Sequence, residues 1–172
     1  AGPRNDFAPA EIDLLKAYLA KQGKLLLLLD PPAKGGAPLT NLIALAHDWG
    51  MDVGNDIVVD VSGMGRLLGT GPEIPVVASY PSHPIVDRFS VFTAFPMARS
   101  ITAVPGGVNG HTAQPFAESS PRSWAETDIT SMLATGEVKH DPAKDKQGPV
   151  ALAAAVSFMS PPDPSKPEEP GA

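Results

Sequence analysis

Five consecutive leucines, Leu25 to Leu29, stand between Lys24 and Asp30, and Pro31-Pro32 follow. Five apolar residues in a row cannot alternate between core and solvent. The run therefore fits a strand covered on both faces, the position at the centre of a parallel sheet. A buried helix is the competing reading, because leucine is an indifferent strand former. The flanks favour the strand. Gln22-Gly23 closes the preceding element, and two prolines stop a helix from running on. Asp30 then sits at the carboxyl end of a central strand, where open α/β sheets place their ligands. A turn cap is the plainer reading of Asp30, since Asp is a common turn residue.

The chain of 172 residues suits one α/β domain with a tail, and an apolar fraction of 42% is enough for a core. The net charge is −6 and the 13 Lys and Arg are scattered, so no basic face offers itself to nucleic acid. There is no cysteine, which removes disulfides, thiolate metal sites and a cysteine nucleophile together. No apolar run approaches the roughly 20 residues of a membrane helix. Twenty prolines and sixteen glycines imply that much of the chain is loop.

Ala8-Pro9-Ala10-Glu11 reads as a helix start, with Ile12, Leu15 and Leu19 as its apolar stripe and Gly23 as its end. Thr40-Asn41 opens a second short helix that runs to Trp49-Gly50. Ile57-Val58-Val59-Asp60 is β-branched and reads as a second buried strand. The order α-β-α-β predicts a parallel sheet with helices on its faces. Short strands are expected at residues 75–80, 90–95, 98–104, 112–119 and 149–158, and Ser123-Trp124-Ala125-Glu126 as the start of a short helix. Residues 139–148 read as an exposed turn. A helix feeding a parallel strand has another strand before it. The chain therefore reads as a piece of a longer protein whose first strand lies upstream, and the open sheet edge would invite pairing between two copies. The domain is expected at residues 1–159. Residues 160–172, with five prolines among Asp, Lys and Glu, read as a disordered linker.

Several stretches carry a resemblance. Gly2-Pro3 with Phe7 and Glu11, Leu14 to Leu19, Gly23-Lys24 and the leucine run to Asp30 form one group. Asp60 to Gly65, Tyr80-Pro81, His83-Pro84-Ile85 and Ser123 to Thr127 form another. Together they resemble the auxiliary soluble domain of bacterial ABC-type transport systems, a family that includes GldG-like proteins linked to gliding motility. The resemblance spans most of residues 1–158. It implies a three-layer α/β sandwich with a mostly parallel central sheet, flavodoxin-like or class I glutamine-amidotransferase-like. It also implies an extracytoplasmic, periplasmic domain held by membrane helices elsewhere in the polypeptide, beside a permease and an ATPase. Related domains in intraflagellar transport proteins act as scaffolds. The family supplies no ligand, cofactor or activity to carry over.

Chemistry weighs little in the residues themselves. Amidotransferase chemistry needs the cysteine this chain lacks. A serine elbow needs Gly-x-Ser-x-Gly, and Asp60 stands where the first glycine of such a motif around Ser62 belongs. Gly63-Met64-Gly65 with Arg66 could cradle a phosphate, but Gly69 misses the dinucleotide spacing by one, so a plain connection is the stronger reading. His47, His83, His111 and His140 form no close pair for a metal. Trp124, with Arg122, Glu118 and Glu126 near it, suits a sugar or protein contact if exposed and a core edge if buried.

The sequence therefore predicts a non-catalytic binding or scaffolding domain without cofactor or metal. Its contact surface would be the carboxyl edge of the sheet: Asp30, Ser62, Gly63, Met64, Gly65, Arg66, His83, Glu118 and Trp124. The expected partners are proteins of a membrane transport complex, with a glycan or small molecule and a homodimer as further expectations. The rival reading is a glycan-acting hydrolase that uses carboxylates at that edge, for which Asp30, Asp60, Glu73 and Glu118 are the candidates.

Overall fold

A computed structural model describes residues 1–31 and 38–157. Helix α1 (Pro9–Ala20) begins where the sequence places it. Glu11 reaches back to accept the backbone N–H of Ala8 at 2.8 Å, which satisfies one free donor of the first turn. Helix α2 (Thr40–Asp48) is capped from a distance. The Asp6 carboxylate accepts the N–H groups of Asn41 (2.6 Å) and Leu42 (3.2 Å), a negative charge at the positive end of the helix dipole. Lys16 on α1 bridges to Asp48 at the far end of α2 at 2.8 Å. Between the two helices Ile12, Leu39, Leu42 and Leu45 form a small core.

The leucine run belongs to no strand. Among the described residues, 24–30 share one backbone-to-backbone hydrogen bond with the rest of the chain, from Gly2 N–H to the Leu28 carbonyl at 2.9 Å. Leu27 and Leu29 pack against the helical core, while Leu25, Leu26 and Leu28 are exposed, Leu26 by 77%. The expected covered strand is thus a half-covered ribbon. Residues 32–37, and those from 158 onward where the linker is expected, lie outside the described residues.

The remaining strands are β1 (Met51–Val53), β2 (Ile57–Asp60), β3 (Val76–Val77), β4 (Thr93–Ala94), β5 (Ile101–Ala103), β6 (Ala113–Glu118), β7 (Ser123–Glu126), β8 (Lys146–Gln147) and β9 (Ala151–Val156). They form sheets in the orders β1-β5-β9-β6, β2-β7-β8 and β3-β4. Every ladder is antiparallel. The mostly parallel, flavodoxin-like or amidotransferase-like three-layer sandwich is therefore not the fold. The reason lies in the connections. A parallel pair needs a crossover of a dozen or more residues, usually a helix. After Asp60 the described residues hold only the short helices α3 (Met64–Leu67) and α4 (Ile129–Thr135), a 3-10 turn (Pro84–Val86) and glycine- and proline-rich loops. Ser123 to Glu126 is a strand, not a helix start, since Trp124 and Ala125 pair with Val59 and Val58. Sheet β1-β5-β9-β6 is irregular at its rim. β6 contains Pro115, and its register against β9 shifts between Pro115 and Ala117 and again before Glu118.

Strand β2 is the edge strand of its three-stranded sheet, yet it is packed on both faces. Its Val58 joins Val77, Ala117, Ala125, Val150 and Leu152 on one face. Ile57 and Val59 join Trp124, Ile129 and Met132 on the other. Its far edge is closed by irregular chain: Val58 N–H donates to Ala98 and Asp60 N–H to Pro72, both at 2.8 Å. No helix among the described residues is long and apolar enough to cross a membrane.

Candidate functional site

Asp60 ends β2 with a buried carboxylate that organises the glycine-rich loop. It accepts the Ser62 N–H at 2.8 Å, the Ser120 N–H at 3.0 Å and the Ser120 hydroxyl at 2.8 Å. Ser62 and the 119–123 turn are thereby drawn together. Gly63 adopts φ +94°, a left-handed conformation open to glycine, and α3 starts directly after it. The Met64 N–H faces the Ser62 hydroxyl at 3.4 Å, while Gly65 sits against Thr70 and Arg66 points into solvent. The Ser62 hydroxyl is thus turned to its own loop. Asp60 has its oxygens filled by backbone and serine donors, as a structural carboxylate does.

Trp124 is interior. Its ring is 7% exposed and its Nε1–H donates to Glu126 at 3.0 Å. Glu126, itself buried, also accepts the Asp128 N–H at 3.0 Å. Glu118 stands exposed at the end of β6, opposite Ala151. Asp30 lies beyond the ribbon, and the Arg99 guanidinium reaches its carbonyl at 3.4 Å. The sheet edge expected to gather these residues does not exist, because the ribbon and β2 are in no common ladder. Asp60 and Ser62 are neighbours; Asp30, Glu118 and Trp124 each belong to separate surroundings.

His83 leads to the most protein-like surface. Its Nδ1 accepts the Ile85 N–H at 3.1 Å, which caps the 3-10 turn, and its ring lies 5.5 Å from Phe116. The chain beyond it exposes Ile85, Phe89, Val91 and Phe92 together. Tyr80 anchors this loop. Its hydroxyl donates to the Val91 carbonyl at 2.9 Å and meets the Thr93 hydroxyl at 2.6 Å, and its ring takes Phe89 edge-on at 5.2 Å. The loop that carries these apolar side chains is therefore tied down at Val91 and Thr93 by the Tyr80 hydroxyl.

Sequence reasoning missed Arg99 and its partner. Arg99 is buried and donates through Nε to the Gly54 carbonyl at 2.6 Å. Burial lowers its pKa, and the nearby Asp56 opposes that shift. Asp56 accepts the Ser100 N–H and hydroxyl, both at 2.7 Å. A lone arginine inside the apolar stretch 95–104 was the available signal. A second feature is an open cleft of about 430 Å³ lined by Lys16, Leu19, Asp48, Trp49, Asn109 and His111. There Trp49 stacks on His111 with ring centroids 4.0 Å apart. No group of three His, Asp or Glu side chains among the described residues is placed to hold a metal ion.

A family model described as an ABC-type uncharacterized transport system matches residues 1–170. The chain belongs to this family. The match takes in both halves of the molecule and runs past the 158 residues over which the resemblance was read. No curated protein matches the chain. Among solved structures, the N-terminal domain of mmIFT52 is similar, with a TM-score of 0.56 and 22% identity. The likeness covers 72% of this chain and 55% of that one, and it is a likeness of fold. The chain thus spans about half the length of that structure. Membership places the chain among the auxiliary components of ABC-type transport systems.

Proposed function

We propose that this domain is a docking module that binds a protein subunit of its own transport complex through the loop of residues 83–93. The supporting observation is the outward display of Ile85, Phe89, Val91 and Phe92 on a loop fixed by Tyr80 and capped by His83. An exposed apolar cluster of this kind marks a contact surface. Its side chains are already in place, so binding costs less ordering entropy than a mobile loop would. Family membership supplies the class of partner.

The finer reading is a GldG-like accessory domain on the extracytoplasmic side of a bacterial membrane, tethered by membrane helices outside this chain. Protease shaving of intact and permeabilised cells tests the location: a periplasmic domain is cleaved once the outer barrier opens, and a cytoplasmic one is spared. The docking role is tested by co-purifying the permease and ATPase subunits with the full-length protein. Phe89→Asp with Phe92→Asp should weaken capture by about 30-fold or more, as loss of an aromatic anchor does. Unchanged capture with both substitutions refutes the loop as the contact.

A further inference from the structure

The ribbon of residues 24–30 has a polarity of its own, independent of the transport reading. Its backbone groups divide by parity. Lys24, Leu28 and Asp30 use theirs within the molecule: Lys24 with the Tyr18 hydroxyl, Leu28 with Gly2 and Asp30 with Arg99. Leu25, Leu27 and Leu29 make no backbone hydrogen bond among the described residues, and neither does Leu26, the exception among the even positions. In an extended chain alternate residues turn their N–H and C=O to opposite edges. One edge of the ribbon is therefore occupied, and the other is an unused strand edge. From Leu26 to Leu29 the side chains alternate as well, with Leu27 and Leu29 against the helical core and Leu26 and Leu28 exposed by 77% and 49%, while Leu25 at the start of the run is also exposed.

The order of residues says what can pair there. Lys24 and Asp30 stand at equal distances on either side of Leu27, with only leucine between them. Laid antiparallel on a second copy about a two-fold axis at Leu27, each Lys24 falls opposite the other copy's Asp30. Leu25 then faces Leu29, and Leu26 faces Leu28. Leu25, Leu27 and Leu29 fall into hydrogen-bonded pairs, and Leu26 and Leu28 into the closer, non-hydrogen-bonded pairs. A parallel pairing in register would instead set lysine beside lysine and aspartate beside aspartate. A slip by one residue would turn occupied backbone groups toward the partner.

We infer that the ribbon is a self-complementary dimerisation strand: two copies of this chain pair antiparallel about Leu27, with Lys24 of each against Asp30 of the other. Such an interface is isologous, as a two-fold dimer requires. The backbone bonds and the leucines supply the affinity. The exposed ion pairs are weak and serve to fix direction and register.

Charge exchange tests this without touching the core, because both side chains are exposed. Sedimentation or light scattering over a wide concentration range should show the parent chain as a dimer at high concentration. Lys24→Asp alone, or Asp30→Lys alone, sets like charges opposite each other twice per dimer and should raise the concentration for half-dimerisation by about tenfold or more. Mixing the two single variants restores both pairs, since the acidic copy meets the basic one, and dimers should return. Circular dichroism of each variant confirms that it is folded. Three outcomes overturn the inference: a parent chain that stays monomeric throughout, single variants that pair as well as the parent, or a mixture that fails to recover. For a second measurement, the chain lacks cysteine, so Leu26→Cys mixed with Leu28→Cys should give a disulfide-linked dimer on oxidation. A mixture that gives none counts against the register.

Discussion

Ile57, Val58 and Val59 are wholly buried in a ladder with β7, whereas the leucine ribbon carries a longer apolar run and leaves three of its five leucines exposed. The difference comes from their neighbours. β2 is bonded along one edge by β7 and along the other by Ala98 and Pro72, and it has side chains packed on both faces. The ribbon has one covered face and one backbone bond. Apolar content alone does not make a core strand; closure of both edges and both faces does.

The contrast can be broken by mutation. The largest effect is expected at the charged support beside β2. Asp56→Ala takes the acceptor from two buried Ser100 donors and removes a charge that favours protonated Arg99, and should cost about 1–3 kcal/mol for each orphaned donor in urea unfolding. Ile57→Ala should cost about 2–5 kcal/mol, by loss of burial and a residual cavity. Leu26→Ala should lie within about 0.5 kcal/mol of the parent monomer. A large loss for Leu26→Ala would show that the ribbon is covered after all.

The helical half is sharpened by its remote cap. Asp6→Ala should cost about 1 kcal/mol, and amide exchange should quicken at Asn41 and Leu42 before it does in β2. Equal quickening in β2 would join the two regions into one cooperative unit. Trp49 and Trp124 report the two regions separately by fluorescence, so single Trp→Phe variants read each transition alone.

The smallest effects are at the surface and depend on pH. Lys16 has its pKa raised above 10.5 by Asp48, so the support it lends is present below that value and fades as pH rises through the raised pKa. Asp141 has its pKa lowered below 3.8 by the Ala143 N–H and Lys144. Its support is present above that value and fades as pH falls through the lowered one. Both groups are open to solvent and the changes should be slight. Melting curves of Lys16→Met and Asp141→Asn should converge with the parent curve as pH rises past the raised lysine pKa and falls past the lowered aspartate pKa respectively.

Local patterns were readable. The starts of α1 and α2, the β-branched run of β2 and the late strand β9 all follow from periodicity and breakers. Strand direction was not readable, because Val58 pairs with Ala125, far along the chain, and nothing near either residue encodes that meeting. Trp124 misled for the same reason: its charged sequence neighbours suggested a surface, but Glu126 turns inward to take the indole N–H. His83 was singled out in advance. The apolar loop that follows it was not, since exposure depends on what fails to pack over Phe89 and Phe92. Arg99 and Asp56 went unseen because each is buried with a partner far along the chain, Gly54 for the arginine and Ser100 for the aspartate.

Pro115 and the broken register of β6 have a practical consequence. A proline offers no amide hydrogen, and an uneven rim gives an incoming chain nothing regular to copy. That rim is protected from templated growth, and the ribbon is not. On heating or long storage at high concentration, insoluble material should form around residues 24–30 first. Replacing Leu26 with lysine is then the simplest way to keep preparations clear.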